Sequence, residues 1–206
     1  MYDYLVSLNQ NICIYFHNLK FDGAFWLSFL MLKKRYKQAC IQDAEDPMKF
    51  AWIDRGGLPN RSFIYSISEQ GQWYRIIIKD KGHIIEIRDS LKLLPFSVKK
   101  IGKSFGTKHK KLDMEYKGFR YAGCTITDDE KEYIANDVLV VKEALEIMHQ
   151  EGHKQLTIGS CCLEEYKKTL PKGYYDMMYP DMYDIPLDPK YGSPNVGEYI
   201  RNSYRG

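Results

Sequence analysis

The segment from Thr127 to Gly152 constrains the fold most, because it carries the signals of both ends and of one face of a helix. Thr127-Asp128-Asp129-Glu130 has the form of a capping box, and Gly152 is a typical residue beyond a helix end. These signals predict a helix over about residues 128–151. Its apolar residues recur at intervals of three and four, and they define an expected core-facing stripe of Ile134, Val138, Val141, Leu145 and Met148.

One acidic residue, Asp137, falls within this stripe, so its carboxylate is expected to point toward the protein interior. A buried, unpaired carboxylate is costly unless a cation or a metal ion meets it. Tyr133 precedes it by four residues on the same face, which brings its phenol within reach of whatever Asp137 binds. Two interpretations stay open: a partly buried aspartate paired with an arginine, or a ligand of a divalent metal.

A second acidic residue, Asp22, follows an apolar segment that predicts a buried strand over residues 12–17. Polar groups just past such a strand lie where α/β folds place their chemistry. Three neighbouring side chains provide an imidazole, an amide and a stackable ring, a set that suits an unpaired nucleotide: His17, Asn18 and Phe21. The alternative is that Asp22 is the N-cap of a helix over about residues 23–36.

The remaining elements are placed by shorter patterns. Residues 73–78 and 83–88 predict two strands joined as a hairpin, because the Asp80-Lys81-Gly82 segment between them supplies glycine where positive φ is needed. A loop is expected through residues 56–60. Short helices are expected over residues 1–8, 97–104 and 160–168.

Composition limits the class of protein. Hydrophobic residues make up 44% of the chain, which is enough to build a core, and the net charge of +3 is too small to prove nucleic-acid binding. Charge is nevertheless concentrated in a lysine cluster of Lys99, Lys100, Lys103, Lys108, Lys110 and Lys111. The cluster is either a solvated face or a track for a phosphate backbone.

The five cysteines lack the paired spacing of a zinc site and indicate a reduced, cytosolic chain. The longest apolar run, residues 25–32, is far shorter than the roughly 20 residues of a membrane span. We therefore expect a soluble protein of the cytoplasm.

In family order, these motifs resemble the protein-primed branch of family B DNA polymerases of bacteriophages and linear plasmids. The expected cytoplasm is therefore that of the host cell if a phage encodes the protein. Residues 17–25 resemble the family's second proofreading-exonuclease motif, and residues 133–137 resemble its third. Residues 89–96 are similar to its Ser-Leu segment, which contacts the single-stranded primer end. Residues 110–113 resemble the stretch that supplies a catalytic lysine, aligned here with Lys111.

The resemblance implies an α/β, ribonuclease-H-like 3′-5′ exonuclease domain that hydrolyses DNA with Mg²⁺ or Mn²⁺. The implied catalytic residues are Asp22, Asp137, Tyr133 and Lys111, of which Asp22 and Asp137 are the metal ligands. The implied contacts to single-stranded DNA are Asn18, Phe21, Ser90 and Leu91. The implied contacts to a priming protein are His17 and Phe25, although either side chain could instead pack in the core.

Two departures from the family pattern shape the functional expectation. The family's first exonuclease motif, Asp-x-Glu, is absent from the residues before His17, and no polymerase motif follows. Two carboxylates hold a hard divalent cation only weakly. We therefore expect an N-terminally incomplete exonuclease domain that is inactive in isolation, with a non-catalytic module for single-stranded DNA or a priming protein as the alternative. A nuclease with Glu86 or Asp89 as a replacement acid is a third hypothesis.

The expected domain organisation follows from a change in composition. Residues 1–170 are expected to form the exonuclease-like domain. Residues 171–206 hold five of the eight prolines and seven of the seventeen tyrosines, and they predict an extended connector toward a polymerase domain. The closing Tyr204-Arg205-Gly206 resembles the start of the family's Tyr-x-Gly-Gly element, which joins the two domains.

Overall fold

The computed structural model describes residues 1–46, 49–115, 119, 121 and 123–204. The chain divides into two compact units, Met1–Ile158 and Gly159–Gly206. Arg205 and Gly206, on which the predicted Tyr-x-Gly-Gly resemblance partly rests, lie outside the described residues.

The first unit is a mixed α/β structure, as predicted. Its helices are α1 (Tyr2–Ser7), α2 (Leu19–Ser28), α3 (Val98–Ser104) and α4 (Asp128–Gln150). Its strands are β1 (Ile12–Phe16), β2 (Lys37–Gln38), β3 (Cys40–Gln42), β4 (Phe50–Trp52), β5 (Ser62–Ile67), β6 (Trp73–Asp80) and β7 (His83–Asp89). All four helices and the strands β1, β6 and β7 correspond to predicted elements, whereas the strands β2 to β5 were not predicted.

A five-stranded sheet in the order β1-β7-β6-β5-β2 forms the centre of this unit. β1 runs parallel to β7, while β6 is antiparallel to both β7 and β5. One sheet face packs beneath α1 and α2 through isoleucines at alternate positions, including Ile76, Ile78, Ile85 and Ile87. The opposite face carries a smaller core of Ala39, Leu58, Ile77 and Ile84. Burial on both faces explains the near-continuous isoleucine runs of β6 and β7.

The β6–β7 hairpin has a two-residue turn at Lys81 and Gly82, and both have positive φ, 48° and 82°. This is the backbone of a type I′ turn, whose twist matches that of the flanking strands. The glycine at the second position therefore serves the purpose that the sequence indicated. The turn is pinned from outside, because Gly82 donates its N–H to the Asn60 side chain at 2.8 Å.

Helix α2 begins earlier than predicted, at Leu19, and it continues into a π-helical turn over Phe29–Lys33. Its N-cap is Asn18, in the left-handed conformation with φ 71° and ψ 62°. The alternative interpretation of Asp22 as the N-cap is therefore wrong, because Asp22 already lies in the first helical turn. A left-handed asparagine allows the chain to leave β1 and enter α2 without a linker.

Helix α4 has the predicted capping box: Thr127 accepts from the Glu130 N–H, and the Glu130 side chain accepts from the Thr127 N–H. The predicted core stripe is only partly correct. Val141, Leu145 and Met148 are buried, whereas Ile134 and Val138 are exposed. The buried face is rotated toward Val140 and Ala144, because α3 packs against that side at Gly102.

The second unit contains α5 (Ile158–Lys168), α6 (Tyr174–Met178) and α7 (Val196–Tyr204). Most of its tyrosines pair edge to face or tilted, as Tyr175 does with Tyr179 at 5.0 Å between ring centroids. The prediction that residues 171–206 are extended is wrong for α6 and α7, because none of the five prolines lies inside either helix: Pro171 precedes α6, and the other four stand between α6 and α7. The role of this segment as a connector stays a prediction.

Across the described part of the chain, we find no helix that is both long and apolar enough to cross a membrane.

Candidate active site

The corner between β1 and α2 is tied to the end of β7 through one buried carboxylate. Asp89 accepts the backbone N–H of Asn18 at 2.9 Å and that of Leu91 at 3.0 Å, both on Oδ1. Strands β1 and β7 are parallel neighbours, so their carboxyl ends meet at the same sheet edge. Asp89 therefore holds the two predicted DNA-contacting segments, at Asn18 and at Ser90 and Leu91, side by side.

His17 strengthens the same junction. Its Nε2 lies 2.9 Å from the Phe96 carbonyl oxygen, which can only accept, so this nitrogen is the donor. The other ring nitrogen, Nδ1, lies 3.0 Å from the Ser90 hydroxyl oxygen. The Ser90 Oγ also lies 3.1 Å from the Phe16 carbonyl oxygen. Both ring nitrogens of His17 are thus engaged inside the fold.

The lysine aligned with the family's catalytic lysine contacts both residues predicted on α4. Lys111 Nζ lies 2.6 Å from Asp137 Oδ2 and 2.7 Å from the Tyr133 hydroxyl, and it stands 4.6 Å from the centre of the Tyr133 ring. Burial alone would lower the pKa of Lys111, but the bonds to Asp137 and Tyr133 outweigh it and raise that pKa. Lys111 is therefore a permanent cation at neutral pH.

Asp137 is the partly buried aspartate that the sequence predicted, paired with a lysine instead of an arginine. Its second oxygen, Oδ1, is buried and has no hydrogen-bond partner among the residues that the structure describes. Such an acceptor is costly to leave unpaired. The side chain therefore keeps one free acceptor beside the ammonium group of Lys111.

The segment that carries Lys111 is fastened to α4 by Glu143. Its Oε2 accepts the backbone N–H of Lys108 at 2.7 Å and that of His109 at 3.3 Å, and its Oε1 pairs with the His109 ring. These bonds, with the His109 bond first, lower the pKa of Glu143. Nothing in the sequence pattern distinguished Glu143 from the other acids of α4, because its partners, two backbone N–H groups and the His109 ring, lie in a loop that is distant in sequence.

One open cleft of about 580 Å³ brings the predicted residues together. The predicted site residues that line it are His17, Asn18, Phe21, Asp22, Leu91 and Lys111. Phe21 is 71% exposed and offers its ring to the solvent. Tyr133 and Asp137 are not among its lining residues, but both are hydrogen-bonded to Lys111, which is. Ser90 is fully buried beneath the cleft, where it contacts the lining residue His17.

Phe25 lies apart from this cleft, one turn further along α2. It is 78% exposed and borders a separate hollow of about 370 Å³ with Met1, Tyr2, Phe16, Asp22, Trp26 and Phe29. The option that Phe25 packs in the core is therefore wrong, whereas His17 is held within the fold.

The donor set does not form a complete divalent-metal centre. Among the described residues there is no group of three or more histidine, cysteine, aspartate or glutamate side chains placed to hold a metal ion. Asp137 Oδ1 is an available acceptor, but hard cations take six or more oxygen ligands, counting water.

The two acids considered as replacements are already engaged. Glu86 is buried on the sheet and is paired with three arginines, at 2.9 Å from Arg88, 3.0 Å from Arg55 and 3.6 Å from Arg75. The third hypothesis is therefore wrong for Glu86, because both of its oxygens are held by arginines. Asp89 caps two backbone groups through Oδ1, which gives it a structural role in shaping the site.

Comparison with known proteins identifies the relatives of this chain. Residues 5–124 match the family model described as DNA polymerase type B, organellar and viral. The DNA polymerase of Bacillus phage B103 is 37% identical over 199 residues, which cover 94% of this chain and 30% of the relative. The DNA polymerase of Streptococcus phage Cp-1 is 28% identical over 170 residues, 82% of this chain and 25% of the relative.

Solved structures agree. Phi29 DNA polymerase complexed with single-stranded DNA superposes with a TM-score of 0.67 at 33% identity, over 88% of this chain and 30% of that one. The complex of the same enzyme with primer-template DNA and incoming nucleotides gives a TM-score of 0.65 at 36% identity, over 81% and 27% of the two chains. The chain thus spans about 30% of the length of the relatives it matches.

Proposed function

Because this chain belongs to the type B DNA polymerases of organelles and viruses, we propose that it is the proofreading 3′-5′ exonuclease region of a protein-primed phage polymerase. The observation that carries the proposal is the single cleft in which Phe21, Asp22 and Lys111 meet. A stackable ring, an acid and a cation are the groups that a DNA end undergoing hydrolysis requires. The ligand is the single-stranded 3′ end of a primer.

Each group has a distinct role in this proposal. The exposed Phe21 ring stacks on a terminal base, and the amide of Asn18 bonds to the strand. Leu91 borders the same cleft, and Ser90 holds His17 behind it. The lysine cluster, exposed at every member except Lys111, provides phosphate contacts.

Lys111 and Tyr133 act on the reacting phosphate. A lysine that stays protonated offsets the negative charge that grows on a phosphate under attack, and it does so best when it is already oriented. The bonds of Lys111 to Asp137 and to the Tyr133 hydroxyl provide that orientation. Mg²⁺ or Mn²⁺ is the expected cofactor of this chemistry, with Asp22 and Asp137 as ligands, and the incomplete donor set supports weak or no binding by this chain.

Binding is tested by fluorescence anisotropy with a labelled oligothymidine across a salt series. Stacking is worth roughly 1–3 kcal/mol per base, so Phe21→Ala should weaken affinity by about tenfold. Phe25→Ala is the matched control, since it removes an equally exposed ring from the same helix outside the cleft. If both variants bind as tightly as the parent chain, the cleft is not the binding site.

Asn18→Gly isolates the contribution of the amide. Glycine accepts the left-handed backbone of this corner, so the turn survives while the hydrogen-bonding side chain is lost. We expect several-fold weaker binding with unchanged thermal stability. Unchanged affinity would remove Asn18 from the DNA contacts.

Hydrolysis is tested with a 3′-labelled oligonucleotide and Mg²⁺ or Mn²⁺. The chain should shorten it negligibly, because two carboxylates do not confine two divalent ions. Robust degradation that Asp137→Ala abolishes would contradict the proposed inactivity and would indicate a ligand that the present donor set does not reveal.

A non-catalytic role in binding a priming protein is the second candidate. The observation in its favour is the apolar hollow beside Phe25, formed with Trp26 and Phe29. Under this proposal Phe25→Ala, not Phe21→Ala, weakens capture of the priming protein encoded with the polymerase. A loss of capture in both variants would assign the whole exposed face of α2 to that partner.

A further inference from the structure

A second cleft lies outside the candidate active site and combines positive charge with aromatic rings. It has a volume of about 390 Å³, and it is lined among others by Trp52, Tyr65, Arg55, Arg75 and Asp54. None of its lining residues belongs to the active-site cleft. Its size falls within the roughly 300–1,000 Å³ of small-ligand pockets.

Glu86 is surrounded by more arginines than are required to neutralise its carboxylate. Buried Glu86 stands directly opposite Ile77 in the β6–β7 pairing, on the sheet face away from α1 and α2. Arg88 donates to it from the same strand, through Nε at 2.9 Å, and would neutralise the carboxylate alone. Arg55 and Arg75 add two more cations, and Asp54 removes one, so the cluster keeps one net positive charge.

Within the described part of the chain, the two additional arginines have N–H groups that Glu86 does not engage. Arg55 contacts Glu86 through one Nη1 at 3.0 Å, and Arg75 stands at 3.6 Å, a distance of charge attraction without a full hydrogen bond. Their side chains are 50% and 37% exposed. Each guanidinium has five N–H groups, arranged to fit the oxygens of a phosphate.

Aromatic rings form the adjacent wall. Trp52 on β4 packs edge to face on Tyr65 of β5, with 4.8 Å between ring centroids, and Phe50 packs on Trp52 at 5.3 Å. Phe50 is exposed and Trp52 is half-buried. Rings that are held by neighbours in this way bind a base with little loss of side-chain freedom.

We propose that this cleft is a second binding site for single-stranded nucleic acid, in which Arg55 and Arg75 bind a backbone phosphate and Trp52 contacts the adjoining base. One net positive charge matches a phosphodiester, which carries one negative charge. A free mononucleotide carries nearly two, so one of its negative charges would stay uncompensated in the cleft beside Asp54. The strand is therefore the ligand, and a free nucleotide is the competing outcome of the test.

The test uses the full chain, an oligothymidine of about 12 nucleotides within the 4–16 that single-strand sites cover, and anisotropy across a salt series. Arg55→Gln and Arg75→Gln should each reduce the salt slope, up to the value of about 0.7 for the one single-strand phosphate contact that the two arginines share. Arg201→Gln, an exposed charge on α7, is the matched control and should leave the slope unchanged. Equal slopes in all four proteins would overturn the proposal.

The base contact is tested separately by Trp52→Phe, with tryptophan fluorescence as the readout. The parent chain should show quenching on addition of the oligonucleotide, and the variant should lose most of that change. If Arg75→Gln unfolds the chain, Arg55→Gln carries the charge test alone, because Arg55 lies in a short surface turn.

Two further measurements separate this site from other sources of binding. Phe21→Ala should lower affinity to the same extent in the Arg55→Gln background as in the parent, which shows two independent sites. Thymidine 5′-monophosphate should fail to displace the oligonucleotide at concentrations where unlabelled oligonucleotide succeeds. Displacement at equal concentration would overturn the strand assignment in favour of a free nucleotide.

Discussion

The contact between Gly23 and Trp73 allows a quantitative test of how α2 is seated on the sheet. A Cβ added at Gly23 would lie 2.3 Å and 2.5 Å from two carbons of the Trp73 ring. The ring would have to retreat by about 1 Å to restore ordinary contact, and it is a stiff group with few alternatives. Such overpacking costs about 1–3 kcal/mol. Glycine to alanine in a helix interior would otherwise gain about 1 kcal/mol.

The clash should prevail, because the required shift is large, so Gly23→Ala is expected to destabilise the chain by about 1–2 kcal/mol. Urea unfolding followed by far-ultraviolet circular dichroism measures this change. Ala24→Gly, at an exposed position of the same helix, calibrates the propensity contribution by itself. In a Trp73→Leu background the same Gly23→Ala change should be neutral or stabilising. A stabilisation of about 1 kcal/mol in the parent background would refute the reasoning.

Three further predictions follow from the described contacts. Thr127→Ala should cost about 1 kcal/mol, because the Glu130 N–H loses its acceptor, and Thr127→Ser should restore it in the same urea titration. Asn18→Ala should lower the melting temperature through roughly 1 kcal/mol of left-handed strain, whereas Asn18→Gly should not. Burial alone would raise the pKa of Glu86, but its arginines outweigh burial and lower that pKa below 4.5. The stability that ionised Glu86 contributes to the fold is therefore complete above pH 4.5 and is lost as the pH falls through the pKa of Glu86 in the folded chain. Thermal melts from pH 7 to pH 3 should show this loss, and Glu86→Gln should flatten it.

Local signals predicted the elements whose ends are marked by side chains. The capping box of α4 and the Lys81-Gly82 turn each depend on residues that are adjacent in sequence, and both are confirmed. The strands β2, β3 and β4 were missed, because two or three residues are too few to show an alternating pattern, and β5 was missed although its partner β6 follows it closely in the sequence. Periodicity alone could not reveal them.

The buried face of α4 was also predicted only in part, because residue spacing alone does not show what packs against a helix. Spacing placed Ile134 and Val138 in the core, but burial is decided by what packs against the helix, and α3 does so near Val140. Asp137 still faces inward, since it lies on both the predicted and the observed stripe. The candidate site was therefore predictable in its residues. Its supports, Asp89 and Glu143, were not predictable, because they bind backbone groups that carry no sequence signature.

Glu143 bonds the segment that carries Lys111 to α4, so the position of Lys111 in the cleft and its protonation state need not change together. Lys111, Tyr133 and Asp137 are held by one helix and by a loop that Glu143 fastens to it. A sliding motion of α4 over the sheet would carry the ammonium group and its carboxylate partner together, as one rigid body. The hydrogen bonds that raise the pKa of Lys111 would be kept while its distance from Asp22 on α2 changed. The distance from Lys111 to Asp22 and the pKa of Lys111 can therefore change independently. A substitution between α4 and the sheet can alter the distance without altering the pKa.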